Sequence, residues 1–320
     1  NPNIYFVLVS EFMLQQTVVK TVIPYFNKFV LKYKNIFILA NADLNDVLSE
    51  WSGLGYYRRA KNLHDTCKII CKKYNGIVPN DFELLMSLPG IGEYTASAIM
   101  SIGYNYPSNV VDGNIERIFS RLNKISIPIK NAKKKIRSIT LKHVPKSKIS
   151  FYFQGLMDIG ATICKPKISL CSECPITAFC KVSNSLEAIN YPIREKKIKN
   201  NFRKGTFLCF VKNNDSILLT KNNNRGLFAN MDVIPSFGWE INKNENKYPI
   251  ASGKVLPLKL NHSFTHFNLE VSIILYREFN DDLFYGAKNS EFVKFVDLEN
   301  KAIPSLIKKI INEAKKFLSN

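Results

Sequence analysis

No apolar run near the start of this chain is long enough to cross a bilayer. The longest, Ile4 to Val9, is broken by Ser10 and Glu11, which excludes a transmembrane segment and a signal peptide and leads us to expect a soluble, intracellular protein. Acidic residues are scarce as well: 26 Asp and Glu stand against 45 Lys and Arg in 320 residues, a net charge of +19. The deficit is uneven, since residues 205–320 hold 15 basic against 12 acidic side chains and residues 1–204 hold 30 against 14. Such an excess attracts a polyanion without reading its sequence, whether nucleic acid or an anionic membrane surface. Strand-like alternation is missing before residue 205. Helical periodicity runs instead through 18–33, 44–52, 58–74, 81–88, 95–102, 115–122 and 133–143, so the first part is expected to be all-helical. The chain also lacks a Met or any lead-in before Asn1-Pro2, which reads as an N-cap and a first-turn proline, and we expect residues to precede it.

The stretch from Leu88 to Asn114 organises the rest. Pro89 ends one helix, and Gly90 and Gly92 flank Ile91 in a tight hairpin whose backbone amides, with the N-terminus of the next helix, suit one phosphate. Such a loop grips a nucleic-acid backbone, and the carboxylate of Asp112 can then meet its sugar; the alternative is an ordinary helical corner with a solvated Asp. Upstream, Glu11 has Val7, Leu8 and Leu14 at helical-neighbour spacing. In that setting desolvation raises a carboxyl pKa toward a proton-donating role, unless Glu11 turns to solvent. Gly53 to Arg59 sets Tyr56 and Tyr57 beside Arg58 and Arg59, a combination that suits either a wedge into a base stack or a turn packed on the core.

Seven cysteines include four, Cys164, Cys171, Cys174 and Cys180, with six, two and five residues between them. Four thiolates so close can hold a [4Fe-4S] cluster or a structural zinc, although zinc ribbons usually carry two CxxC pairs and only one is present. Cys67, Cys71 and Cys209 read as buried apolar side chains. After a basic linker at 194–204, the texture changes to alternating runs at 206–211, 216–220, 264–276 and 292–297, with an amphipathic helix at 304–318: a small α+β domain.

Taken together, Val9 to Thr17, Gly53 to Tyr57, Leu88 to Gly92, Val111 to Asn114, Met157 to Ala161 and the four cysteines resemble MutY-type adenine DNA glycosylases of the helix-hairpin-helix, iron-sulfur superfamily, over nearly the whole chain. The resemblance implies a multi-domain protein: an all-α helix-hairpin-helix glycosylase domain with a [4Fe-4S] loop at 1–193, the linker at 194–204, and an α+β Nudix-like 8-oxoguanine recognition domain at 205–320. It further implies hydrolysis of the N-glycosidic bond of adenine paired with 8-oxoguanine or guanine. Glu11 matches the family's catalytic acid, Asp112 the residue that stabilises the sugar cation, and Asn114 a pocket residue near the sugar. Tyr94 stands where lyase-competent relatives carry Lys, and a phenol forms no Schiff base, so a monofunctional enzyme is expected. Gln154 matches a contact to the adenine, and Gln16 and Tyr56 match side chains inserted into the duplex.

His262 to Phe267 matches the lesion-reading run, with Thr265 at a position usually held by Ser, followed by His266. Residues 205–320 lack the clustered Arg and Glu of a Nudix hydrolase box, so a reader role is expected there, against that of a bland scaffold. The linker holds no Cys or His, which fits a compact bacterial-type enzyme. Double-stranded DNA is the expected partner, the protein a monomer without membrane association, and the location the nucleoid of a bacterium or the nucleus or organelle of a eukaryote. The competing readings are a thymine or uracil mismatch glycosylase, a non-catalytic damage binder, which needs neither Glu11 nor Asp112, and a zinc protein of transcription.

Overall fold

In a computed structural model the chain is described at residues 2–195, 201–223, 226–239, 253–264, 266–279 and 289–318. Two compact units make it up, and they are not consecutive in sequence. One joins Asn1–Val19, Lys32–Ala40 and Asp65–Lys197; the other joins Lys20–Leu31, Asn41–His64 and Ile198–Asn320. The sequence division at residues 194–204 therefore differs from the spatial one, because the segment 49–57 bonds to the segment before the last helix. Ser52 Oγ donates to the Ile303 carbonyl at 2.6 Å, and the Ser305 amide donates to the Tyr57 hydroxyl at 3.2 Å. Among the described residues no helix is long and apolar enough to cross a membrane.

The first unit is helical. α1 (Ile4–Leu14) is capped by Asn3, whose side chain accepts the amides of Tyr5 and Phe6, so the helix starts later than Asn1-Pro2 suggests. Its β-branched and aromatic residues are mediocre helix formers, and burial compensates: Tyr5, Val7, Leu8, Val9, Phe12 and Met13 are all inside. α3 (Ile36–Asn41) is short and escaped the periodicity. α5 (Arg58–Tyr74) passes from the second unit into the first, and α6 (Phe82–Met86) leads to the hairpin. α7 (Glu93–Ala98) widens into a π-helical stretch, Ile99–Gly103. α8 (Gly113–Leu122), α9 (Ile129–Lys142) and α10 (Ile149–Asp158) pack through Ile115, Ile118, Phe119, Ala132, Ile136 and Phe153. A second π-helical stretch, Ile159–Ile163, follows α10. Cys67 is fully buried, whereas Cys71 is only half-buried and points its thiol to the Ile36 carbonyl.

The second unit contains α2 (Val19–Lys32) but for its ends, and α4 (Leu44–Glu50), capped by Asp43. Its sheet is built from β1 (Asn201–Lys212), β2 (Ser216–Lys221), β3 (Asp232–Val233), β4 (Ser236–Phe237), β5 (Lys254–Val255), β6 (Leu260–Ser263), β7 (Phe267–Tyr276) and β8 (Ser290–Lys294). The order is β3-β2-β1-β7-β5, with β4 also on β1, β6 on β7 and β8 on β2. β1 and β7 run parallel from Asn201 opposite Phe267 to Phe210 opposite Tyr276. Strand structure thus begins at Asn201, inside the expected linker, because the long pairing with β7 recruits Asn201 to Lys204; residues 196–200 of that linker lie outside the described set. The two-residue strands are too short for periodicity to reveal. β1 alternates perfectly between two apolar environments: Phe207, Cys209 and Val211 share a core with α11 (Ser305–Lys316), and Leu208 and Phe210 share another with Tyr276. α11 contributes Leu306, Ile307, Ile310 and Ile311, each worth roughly 1.5–3 kcal/mol of burial.

Candidate active site

Three elements of the first unit bring acid chemistry together. α1 is buried nearly all round, and Glu11 is carried inside with it, only 4% exposed. α7 brings Tyr94 against that carboxyl, and the N-terminus of α8 brings Asp112. Desolvation, opposed by the hydrogen bond from Tyr94 and aided by the charge of Asp112, pushes the Glu11 carboxyl up to about 7. Glu11 Oε2 is buried with no hydrogen-bond partner among the described residues. A carboxyl with one oxygen held and the other unsatisfied, poised to lose or gain a proton near neutrality, has the properties of a general acid. Burial raises the Tyr94 phenol, and the charges of Glu11 and Asp112 raise it further.

Asp112 is the N-cap of α8. Its Oδ1 accepts the Ile115 amide at 2.7 Å and its Oδ2 the Asn114 side-chain amide at 3.0 Å. Burial raises its pKa, and those bonds to Ile115 and Asn114, with the charge of Arg117, work in the opposite direction. Asn114 is fixed in turn by Arg117, which donates to its Oδ1 at 2.9 Å, to the Gly160 carbonyl at 2.7 Å and to the Cys164 carbonyl at 2.7 Å. Gly160 lies so close to α8 that a Cβ there would meet the Asn114 Cβ at 2.5 Å, so only glycine fits.

The hairpin before α7 is locked from behind. Gly90 has φ +77°, a left-handed conformation that favours glycine, whereas Gly92 is extended and caps α7. Thr66 donates to the Pro89 carbonyl at 2.9 Å, and Gln15, from the end of α1, donates to the Gly90 carbonyl at 3.1 Å and Thr95 Oγ at 3.2 Å. The next residue, Gln16, is exposed with φ +56°.

Cys164, Cys171, Cys174 and Cys180 line one pocket with Arg121, Leu170, Thr177 and Val182. Arg121 is 2% exposed and donates to Cys164 Sγ at 3.1 Å, to the Lys165 carbonyl at 2.9 Å, to the Pro166 carbonyl at 3.2 Å and to the Tyr191 carbonyl at 3.1 Å. Burial raises the Cys180 thiol, the backbone bond at Val182 lowers it, and the charges of the other three cysteines raise it. Four sulfur donors lining one pocket are a set that fits a thiolate-ligated cluster. Among the described residues no three His, Cys, Asp or Glu side chains are arranged to hold a single metal ion.

Not every expected residue joins these groups. Gln154 is exposed on α10 and folds its amide back onto Ser150. Tyr56, in the second unit, is 45% exposed with φ +50°, and its ring lies 5.3 Å from the Arg59 guanidinium. Tyr57 is 8% exposed, which removes it from the pair of candidate wedges. His266 is exposed in the turn before β7; Thr265 lies outside the described residues. Beside that turn Phe264 stacks on Phe267 at 4.6 Å and lies parallel to Trp239 at 6.1 Å, with Phe228 at 6.0 Å. Sequence reasoning missed Trp239, Phe228, Gln15, Arg117 and Arg121. The only signal for the last two was their spacing, three and seven residues after Asn114 on one helical face.

Residues 9–146 match the family described as HhH-GPD superfamily base excision DNA repair protein. The adenine DNA glycosylase of Buchnera aphidicola subsp. Acyrthosiphon pisum (strain APS) is 35% identical over 336 residues, which cover 99% of this chain and 92% of that one. The Homo sapiens adenine DNA glycosylase is 36% identical over 186 residues, 57% of this chain and 34% of that one. Among solved structures, a thermostable thymine-DNA glycosylase is 26% identical with a TM-score of 0.51, covering 57% of this chain and 84% of that one. Similarity at this level along nearly the whole length, joined to a buried acid at Glu11 and an Asp112-capped helix, means that this chain belongs to the adenine DNA glycosylase family of helix-hairpin-helix base-excision repair proteins.

Proposed function

We propose that the protein hydrolyses the N-glycosidic bond of adenine paired with 8-oxoguanine or guanine in duplex DNA, without cutting the strand. The observation that carries this reading is the Glu11 carboxyl, buried, half-satisfied and pushed up to about 7 beside Tyr94 and Asp112. Protonated Glu11 donates to N7 of an adenine swung out of the stack, which turns the base into a neutral leaving group. Positive charge then develops on the sugar, and the Asp112 carboxylate, oriented by Ile115 and Asn114, is placed to offset it. The Glu11 carboxylate left behind accepts a proton from the attacking water. Tyr94 supplies no amine for a Schiff base, so the product is an intact abasic strand.

Cationic residues concentrated in residues 1–204 supply salt-dependent hold on the duplex, the Gly90 hairpin takes a phosphate, and Gln16, Tyr56 and Gln154 contact the duplex and the extruded base. Both proposed wedges, Gln16 and Tyr56, stand exposed in left-handed backbone. Cys164, Cys171, Cys174 and Cys180 would hold a [4Fe-4S] cluster, which would cross-link the loop that receives Arg117 and Arg121. Residues 205–320 read 8-oxoguanine through Thr265 and His266, and the protein acts as a monomer.

The test is single-turnover excision on 8-oxoguanine:A, 8-oxoguanine:C, G:A and G:T duplexes, with and without alkali. Alkali-dependent cleavage at the adenine is expected. Cleavage confined to G:T would place the chain with thymine glycosylases, and strand cleavage without alkali would overturn the monofunctional reading.

A further inference from the structure

We infer that Tyr57 is a positioning residue through which the C-terminal sheet sets the neighbouring Tyr56, so that the base opposite the adenine governs the wedge. The inference rests on the proposed excision of adenine opposite 8-oxoguanine. Tyr57 is buried, and its phenol oxygen accepts two amides, from Gly53 at 3.3 Å and from Ser305 at 3.2 Å. Ser305 is the first residue of α11, a helix whose N-cap is Pro304 and which has no side-chain cap of its own. An uncapped helix start leaves amides in need of acceptors, and here one is met by a tyrosine 248 residues away in sequence. Ser52 closes the same grip from the other side by donating to the Ile303 carbonyl at 2.6 Å, and Ser49 Oγ reaches the Glu299 carbonyl at 3.4 Å.

On its far side α11 is part of the sheet core. Leu306, Ile307, Ile310 and Ile311 pack with Leu269, Val271 and Ile273 of β7, the strand that leaves the turn bearing His266. On the near side Tyr56 follows Gly55 in a left-handed conformation that costs a tyrosine roughly 1–2 kcal/mol and persists only if its surroundings enforce it. They do: Arg59 donates to the Gly55 carbonyl at 3.0 Å and the Tyr56 carbonyl at 3.4 Å, and the Trp51 indole donates to the Gly55 carbonyl at 3.2 Å. Tyr57 is the next residue along this clamped backbone, and its hydroxyl is the atom that joins the clamp to α11. Close-packed elements pass small displacements on rather than absorbing them. A shift at His266 and Phe267, where β7 begins, on engaging a base would therefore reach Tyr56 through β7, α11 and the Tyr57 hydroxyl.

Tyr57→Phe removes that oxygen and leaves the ring. Single-turnover excision should show the 8-oxoguanine:A to G:A rate ratio falling roughly five- to tenfold, the effect of losing the bond to Ser305 when the reader is engaged, while the bond from Gly53, lost on both duplexes alike, leaves the ratio unaffected. Ser52→Ala should lower the same ratio in the same direction, and it decides the matter if Tyr57→Phe does not fold. Equal loss on both duplexes means a merely structural tyrosine, and an unchanged ratio in both variants means no coupling; either result overturns the inference. A wild-type protein that excises from neither duplex defeats the proposed function itself, and this inference with it.

Discussion

The Tyr94 phenol donates a hydrogen bond to the Glu11 carboxyl, and this bond opposes the burial that, on balance, raises its pKa to about 7. If Glu11 is the general acid, as proposed, excision requires its protonated form, so the rate should be flat at low pH and fall roughly tenfold per unit well above pH 7. Glu11→Gln should cost at least about a thousandfold in excision while duplex binding persists, since the amide lacks a transferable proton. Tyr94→Phe removes the interaction that holds the pKa down, so its alkaline limb should move to higher pH. A limb that stays in place would show that Tyr94 does not tune the acid.

The same burial has a stability consequence of opposite value to the cell. Glu11 binds its proton more tightly in the folded chain than in the unfolded one, where a glutamate titrates near its ordinary 4.5. Its contribution is therefore fully present below that value and is lost as pH rises through about 7, a change of roughly 3 kcal/mol at about 1.36 kcal/mol per unit. Thermal unfolding of Glu11→Gln should be higher than that of the parent at pH 8 and should converge with it only below about pH 4.5. Equal melting at both values would mean that Glu11 is solvated in the folded protein.

Sequence showed Glu11 because an acid among Val7, Leu8 and Leu14 is conspicuous, and it showed the four cysteines because their spacing is dense. Arg117 and Arg121 were invisible for the opposite reason. In a chain of net charge +19, two more arginines on a helix look like phosphate-binding surface, yet both are buried against carbonyls. Tyr56 and Tyr57 are identical in composition and separate only through backbone geometry, which places one outside and one within. The grouping of 41–64 with the sheet depends on bonds across some 250 residues, and no local pattern records them.

Gly160 offers a test of the contact between the second π-helical stretch and α8. A methyl at Gly160→Ala would sit 2.5 Å from the Asn114 Cβ, and neither backbone is free to yield because Arg117 ties Asn114 to the Gly160 carbonyl. The strain should cost about 1–3 kcal/mol in stability. It should also displace the Asn114 amide from Asp112, so that excision falls more than the loss of folded protein explains. Denaturant titration beside active-site titration separates the two effects, and a loss of excision no larger than the loss of folded protein would mean that Asn114 tolerates the shift.

The cysteine loop should matter to excision although none of its thiols touches Glu11. Arg117 draws on the Cys164 carbonyl, and Arg121 on Cys164 Sγ and the carbonyls of Lys165 and Pro166, so residues 164–166 form one wall of the scaffold that holds Asn114 and, through it, Asp112. Cys174→Ser leaves those acceptors in place but removes one of the four proposed cluster ligands. It should abolish absorbance near about 400 nm, the signature of an iron-sulfur cluster, and lower the melting temperature. Two buried guanidinium groups then face a loosened set of carbonyls, and a buried charge that loses its partners costs about 3–5 kcal/mol. Excision should fall with the melting temperature rather than with the pH profile, whose alkaline limb belongs to Glu11 and should stay near pH 7 in the residual activity. An unaltered melting temperature in a colourless Cys174→Ser protein would show that the loop holds the two arginines without any metal.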